Sequence, residues 1–556
     1  MDQAAIAEAK KPVQTWPRIN FLERNRIVAK PGFNRWLVPP AALAVHLCIG
    51  MAYGFSVFWL PMSRLLGINK PIACSPGTGL LNALAARACD WKVSQLGWTY
   101  TLFFVFLGSS AAIWGGWLER SGPRKAGFVA ALCWCGGLMI AAVGVAKHQL
   151  WLVWLGTGAI GGIGLGIGYI SPIGTLIKWF PDRRGMATGM AIMGFGGGAM
   201  IGAPLANKMM LFFRTSHSLG VWETFVALGA VYLVFMMGGA FGYRVPPSGW
   251  RPRGWSPPPS NMLSMITNRH VHVNRVHKTL QFWLLWAVLC LNVSAGIGVL
   301  GMASPMLQEI FGGALVGAPS VGFTALTSAQ RTSVATIAAG FAGLLSLFNI
   351  AGRFFWASLS DKLGRKATYT TFFVLGIALY ASVPWLAHAG HKALFVASLC
   401  VIVSMYGGGF AAIPAYLADI FGTQFVGPIH GRLLTAWSTA GIVGPVVVNY
   451  LREAQINAGV PRGQVYDFTM YILAGMLVVG LVANLLVRPL SEKWFMDEDE
   501  VQAIQSRHMV ADADGRSFGI GRGVLDFKAA LAWIAVGVPI AWGVWFTVVS
   551  TRAMFR

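Results

Sequence analysis

The feature that most restricts this chain is a repeated one: uninterrupted apolar runs about 20 residues long, returning from Leu37 onward. A helix rises about 1.5 Å per residue, so a run of roughly 20 residues crosses the ~30 Å hydrocarbon layer of a bilayer. The runs are continuous and do not alternate, which predicts membrane helices and excludes a barrel. Twelve main spans are expected at about 37–60, 96–118, 126–146, 150–174, 185–205, 221–243, 280–301, 334–358, 368–387, 391–413, 430–450 and 467–488. A thirteenth run, Leu531 to Ser550, carries no charge and is read as spanning; lying on the membrane surface is the alternative. Composition agrees. Of 556 residues, 55% are hydrophobic and 11% charged, against about 25% charged in a soluble protein. A soluble enzyme would lack a polar surface, and a disordered chain would not be this apolar. Residues 1–36 are polar and basic and lack the short apolar core of a cleaved leader.

The chain holds 43 Lys and Arg against 20 Asp and Glu, a formal charge of +23. A nucleic-acid binder would gather that charge on one face. Here it is spread over loops between apolar runs, as expected for a topology signal facing anionic lipid. With the N-terminus in the cytoplasm, that side holds about 29 basic residues and the other about 13, with Arg353 left inside a span. The basic arm 1–36 and the short loops 119–125 and 362–366 agree with this orientation, and a plasma-membrane location is expected.

The spans fall into two sets. Residues 37–243 and 280–488 are read as six-helix bundles, joined by a cytoplasmic linker, 244–279, with a Pro-rich start and a basic end. A polar connector, 489–530, leads to the extra membrane helix and tail, 531–556. Gly54 and Pro61 recur as Gly298 and Pro305, at an offset of 244. Glu119-Arg120-Ser121-Gly122-Pro123-Arg124-Lys125 recurs as Asp361-Lys362-Leu363-Gly364-Arg365-Lys366, at 242. Gly185 recurs as Gly431, at 246. Three matches at nearly one offset imply homologous halves that rock about a site near the bilayer midplane.

The acidic–basic–Gly–basic loop, present after the second and the eighth span, resembles the signature of the major facilitator superfamily, over residues 37–488. Three stretches are similar to the oxalate/formate antiporter family, close to the monocarboxylate transporters: Gly166–Pro172 through Trp179–Gly185, Asn349–Arg353 leading into Ser360-Asp361, and His430–Trp437. In that family an Arg on the eighth span binds carboxylate, and Arg353 matches its place. Oxalate-type members also use a Lys on the eleventh span; here Trp437 stands there, so the resemblance implies one cationic anchor instead of two. The last 30 residues resemble a small membrane subunit found with some members, here fused.

Arg353 lies eight residues before Asp361, so about 12 Å along a helix from the loop. A charge at that depth costs from about 3 kcal/mol upward. Two readings stand: an Arg that snorkels toward the loop, or a guanidinium facing a cavity, whose planar fork matches a carboxylate with two parallel hydrogen bonds. The resemblance favours the second. No Asp or Glu lies mid-span, so a carboxylate proton relay is not expected. His46 is the mid-span titratable candidate, with packing as its plainer role. Further cavity candidates are Tyr53, Tyr169, Asn292, Asn349, Tyr406, Trp437 and Ser438; Asn349 is one helical turn from Arg353, on the same face. Glu119, Arg120, Arg124, Asp361, Lys362 and Arg365 are expected to gate, by pairing with helix ends across the halves in one conformation.

Other signals carry less. Gly156-Thr157-Gly158-Ala159-Ile160-Gly161 fits a dinucleotide fingerprint, but it is mid-span with no strand before it, and reads as close helix packing. Gly196-Gly197-Gly198 and Gly407-Gly408-Gly409 read likewise, as packing or sliding contacts. No Walker loop and no metal-ligand spacing occur, and no cofactor is expected. Cys74 and Cys89 share the loop after span one, either as a disulfide or as free thiols. The sequence therefore predicts an all-α polytopic carrier, monomeric in function and not an enzyme, that moves small organic carboxylates by exchange. The alternatives are a proton-coupled monocarboxylate symporter, a carrier of another solute with a structural Arg353, and a membrane sensor on the same fold.

Overall fold

The structure, a computed structural model, describes residues 21–68, 72, 74, 84, 86–247, 250–252, 266–267, 269–501 and 527–551. Lys10, Lys11 and Arg18 of the arm, residues 248–249, 253–265 and 268 of the linker, and Arg556 lie outside the described residues. We number the long helices in chain order: α1 Val38–Ile49, α2 Val93–Ser121, α3 Pro123–Ala146, α4 Gly162–Trp179, α5 Arg184–Phe213, α6 Val221–Gly242, α7 Leu280–Leu315, α8 Ser328–Leu363, α9 Arg365–His388, α10 Lys392–Phe421, α11 Thr435–Asn457, α12 Asp467–Leu486 and α13 Phe527–Thr551. The fold is all-α; among the described residues the only extended pairing is an isolated bridge, Val28 to Val245. Among the described residues, twelve helical stretches are long and apolar enough to cross a membrane, Phe527–Val549 among them.

Several spans depart from plain helices, for local reasons. Span one is α-helical to Ile49, then runs as a 3-10 segment, Gly50–Phe58, and a short helix, Trp59–Met62. The change falls where it crosses α5 backbone to backbone: a Cβ on Gly50 would lie 2.3 Å from the Phe195 carbonyl oxygen. Ahead of α4, residues Trp154–Gly161 wind as a π-helix. The fingerprint-like glycines sit in it, and a Cβ on Gly156 would meet the Gly137 oxygen at 2.5 Å; their absent side chains let α3 and the π turn touch. α7 and α8 run to 36 residues each, well past the apolar runs, because polar residues outside the bilayer can continue a helix. The sequence repeat has a backbone counterpart. Gly122 (φ 84°) and Gly364 (φ 83°) each end one helix and start the next in a conformation that disfavours a side chain.

Helices α1–α6 pack mainly on one another, as do α7–α12, and the two sets meet along α5 against α8 and α2 against α11. Hydrogen bonds cross this seam. Ser346 Oγ donates to the Gly196 carbonyl (2.6 Å), and Ser438 Oγ to the carbonyl of Phe104 (2.8 Å). α13 lies on α8, α5 and α1, so it touches both sets. Gly343 faces Thr547, Gly543 faces Met200 and Ile201, and Trp533 Nε1 donates to the Trp36 carbonyl (3.1 Å).

Both sets are tied down outside the membrane helices. Arg35 pairs with Asp182 (3.1 Å), and Arg275 with Glu500 (2.7 Å). Cys74 and Cys89 are joined by a disulfide with Cα atoms 5.0 Å apart. Glu309, past the apolar part of α7, is buried against Arg452, Arg462 and Tyr466.

Candidate functional site

Helix periodicity places Asn349 and Arg353 on one face of α8, and the structure turns that face into the seam. Arg353 is fully buried, at 0% exposure, and Asn349 at 1%. Asn349 Oδ1 accepts from Arg353 Nε (2.8 Å), which orients the guanidinium. Nη1 donates to the Ile192 carbonyl of α5 (3.1 Å). Nη2 is buried with no partner. Among the described residues no carboxylate pairs with this guanidinium. Two aromatic rings flank it instead: Phe195 of α5 at 5.6 Å and Phe410 of α10 at 5.5 Å from Cζ. Their faces supply part of the compensation that a counter-ion would give.

Glycines make this packing possible. A Cβ on Gly196 would come within 2.8 Å of Asn349 Oδ1 and 3.1 Å of Arg353 Nε. One on Gly407 would come within 2.4 Å of the Asn349 carbonyl oxygen. The two glycine triplets thus cradle the Asn–Arg pair from α5 and α10.

The other expected residues divide. Tyr53 Oη and Tyr406 Oη share a hydrogen bond of 2.6 Å across the two helix sets. Tyr169 and Trp437 are fully buried, with ring centroids 5.1 Å apart, and Tyr169 Oη and Trp437 Nε1 both lack a partner. Trp437 packs on the same two rings as Arg353, at 5.4 Å from Phe195 and 4.2 Å from Phe410. The guanidinium's charge also acts on the phenols of Tyr53, Tyr169 and Tyr406, and those of Tyr53 and Tyr169 lie close enough to interact with it side chain to side chain. Ser438 is a seam contact, as described. Asn292 lies apart, lining a small cavity among α7, α9, α10 and α12 with Gly296, Tyr380 and Tyr406. His46 stacks on Tyr169 (5.4 Å) and bonds its carbonyl through Nε2 (3.1 Å).

Residues that the sequence did not single out complete the cage. Phe195 and Phe410 are ordinary apolar residues in apolar runs, so nothing in the sequence marks them. His430 is fully enclosed, its ring 6.2 Å from Tyr169, with Nε2 unpartnered. It sits in the short helix Val426–Leu433 that leads into α11. It opens the expected span 430–450, so it fell outside a search for mid-span histidines.

The signature-loop charges pair within their own helix sets in this conformation. Glu119 bonds Lys178 at the end of α4. Arg124 donates to the carbonyls of Phe21 (3.0 Å) and Phe241 (3.2 Å). Arg365 bridges Asp361 (2.6 Å) and Asp419 (3.1 Å). Arg120 and Lys362 are exposed. Across the seam beside this loop, Gly427 faces Glu119 and Gly431 faces Ala111.

A site of this form holds one positive charge with no carboxylate beside it among the described residues, and several unsatisfied neutral donors, inside an aromatic box at the seam. It suits a small anion. The oxalate:formate antiporter of Oxalobacter formigenes is 26% identical over 415 residues, covering 74% of this chain and 83% of that protein. Apicoplast pyruvate carrier 1 of Toxoplasma gondii is 25% identical over 450 residues (70% and 78%). The probable sulfoacetate transporter SauU of Cupriavidus necator is 25% identical over 425 residues (75% and 89%). Among solved structures, the proton:xylose symporter XylE superposes with a TM-score of 0.53 at 14% identity, over 81% of this chain and 95% of that one. FucP, in its outward conformation, superposes at 0.50 and 12%, over 82% and 100%. These two show a shared fold. The model of the Major Facilitator Superfamily matches residues 42–445, and with these helices, this seam and these relatives the chain is a multi-pass membrane transporter belonging to that superfamily.

Proposed function

We propose that this transporter carries small organic carboxylate anions by alternating access, with Arg353 as the anion anchor. One observation carries the reading: a guanidinium at the seam of the two helix sets, at 0% exposure, with Nη2 unpaired and no carboxylate beside it among the described residues. Leaving such a donor unsatisfied in a dry interior costs free energy that a bound carboxylate recovers. The relatives that move oxalate, formate, pyruvate and, in one probable case, sulfoacetate support the same class.

Exchange follows from the charge. An empty site would have to close over a bare guanidinium, whereas a loaded one closes over a neutral pair, so anions favour the crossing of the loaded carrier. A second reading, co-transport of a proton, has its own support in the two buried histidines beside Tyr169, His46 and His430. The basic N-terminal arm and the 119–125 and 361–366 loops would face the cytoplasm of a plasma membrane, and the carrier would work as a monomer.

Counterflow in proteoliposomes tests the proposal. Vesicles preloaded with a carboxylate should accumulate labelled carboxylate faster than empty ones, at a rate insensitive to an imposed pH gradient if exchange is the mechanism and sensitive to it if protons travel too. Neutral sugars and amines that drive flux while every carboxylate fails would end the carboxylate assignment.

A further inference from the structure

The cage holds more than the guanidinium. Four buried polar atoms in it have no hydrogen-bond partner: Arg353 Nη2, Trp437 Nε1, Tyr169 Oη and His430 Nε2. The first two side chains pack on the same pair of rings, Phe195 and Phe410, and Tyr169 packs on Phe195, Phe410 and Trp437. An indole N–H can only donate. Buried donors without acceptors are uncommon in folded proteins, and each calls for a ligand or a reason. Among the described residues no Lys or second Arg joins Arg353 in this cage, whose other walls are aromatic rings and the His430 imidazole.

Resting on the carboxylate reading, we infer that Trp437 is a specificity-determining residue, and that the preferred substrate is a monoanion bearing an uncharged acceptor next to its carboxylate: a small 2-oxo or 2-hydroxy monocarboxylic acid. The carboxylate takes Arg353 Nη2. The neutral oxygen beside it accepts from Trp437 Nε1, with Tyr169 Oη free to serve either group. The short carbon tail rests against Phe195 and Phe410. A dianion is disfavoured, because its second charge would enter an aromatic enclosure with a neutral donor and no Lys or second Arg, and desolvating a charge there is expensive. A monoacid without the second oxygen fits but leaves the indole N–H unsatisfied.

The test uses the full chain in proteoliposomes and reads inhibition of labelled pyruvate uptake by unlabelled pyruvate, propanoate and oxalate. Propanoate is pyruvate without the 2-oxo oxygen; oxalate carries the second charge. Wild-type protein should prefer pyruvate over propanoate by about tenfold, the worth of one buried hydrogen bond, and over oxalate by more. Trp437→Phe keeps a ring and removes the donor. It should bring the pyruvate-to-propanoate ratio close to one, whatever happens to the absolute rate. Tyr169→Phe, a single-atom deletion, supplies a second variant should Trp437→Phe fail to fold, and should narrow the same ratio. Oxalate competing as well as pyruvate in wild type, or an unchanged ratio in folded Trp437→Phe, overturns the assignment of Trp437 while carboxylate transport stands. Failure of every carboxylate to compete, or full uptake by Arg353→Lys, overturns the underlying reading instead.

Discussion

Two arginines carried by the α7–α12 set are drawn away from solvent, and they are treated in opposite ways. Arg452 meets its counter-charge. Nε bonds Glu309 Oε2 (3.0 Å), Nη2 reaches Oε1, and the Tyr466 phenol donates to the same carboxylate (2.5 Å). Burial works against the Arg452 charge, yet the Glu309 carboxylate prevails and holds it above its ordinary range. Arg353 is more deeply buried and meets an amide, a carbonyl and two aromatic faces. The first arrangement is closed: every strong demand is met, so it braces α7 against α11 and the start of α12. The second is open by one donor and one charge. Depth alone does not separate a brace from a binding site; the presence or absence of the acid does.

The comparison can be broken at its most sensitive point by Arg353→Lys. Lysine keeps the charge and loses the fork, so carboxylate transport should fall by at least about 100-fold, with the protein still inserted and monodisperse. Near-normal flux, measured in proteoliposomes, would make Arg353 a structural residue like Arg452. The reciprocal change, Glu309→Gln, should do the reverse. It strands the Arg452 charge, and stability should fall by about 2–3 kcal/mol, at the low side of the range for breaking a buried pair, since Arg452 keeps some solvent contact. A thermal unfolding scan reads that loss, while the substrate KM of the folded fraction stays put; a shifted KM with unchanged stability would show the Glu309 cluster to be part of the transport path.

Smaller effects sharpen the contrast between seam and loop. Ser438→Ala removes the bond to the Phe104 carbonyl and should cost about 1 kcal/mol of seam closure, or roughly fivefold in the population of the opened state. Faster hydrogen exchange of α2 amides near Phe104 is the expected sign, and unchanged exchange would remove Ser438 from the seam's energetics. Lys178→Ala should do least. Its pairing with Glu119 is at the surface, lies within one helix set and is screened by solvent, so less than about 1 kcal/mol is at stake. A large loss of flux on this change would mean that the pair is remade across the seam in the other conformation, as the gate reading requires.

Much of the fold was legible because membrane insertion is a local demand. Each span must satisfy its own backbone hydrogen bonds and bury its own apolar side chains, so every helix announces itself in about 20 residues. The signature loops were legible for a similar reason: Gly122 and Gly364 answer a backbone requirement that few residues meet. The Asn349–Arg353 pair was legible by helix spacing. The break of span one at Gly50 was not, since it depends on how closely α5 crosses there. Nothing in the sequence sets Glu309 apart from other acids; its two arginines and tyrosine come from 143 to 157 residues further along the chain.

The sequence by itself determined the approximate places of the membrane helices, the two-fold repeat, and a lone guanidinium inside a span with no acid at mid-span. Those follow from hydropathy, spacing and the cost of charge in lipid, all of which act within one helix. Tertiary structure alone decided that Phe195 and Phe410, from different halves of the chain, flank that guanidinium, that Tyr53 bonds Tyr406, and that Trp437 shares the cage. An aromatic side chain in an apolar run has the same sequence signature whether it faces lipid, a neighbouring helix or a ligand, and only the packing of distant helices separates these.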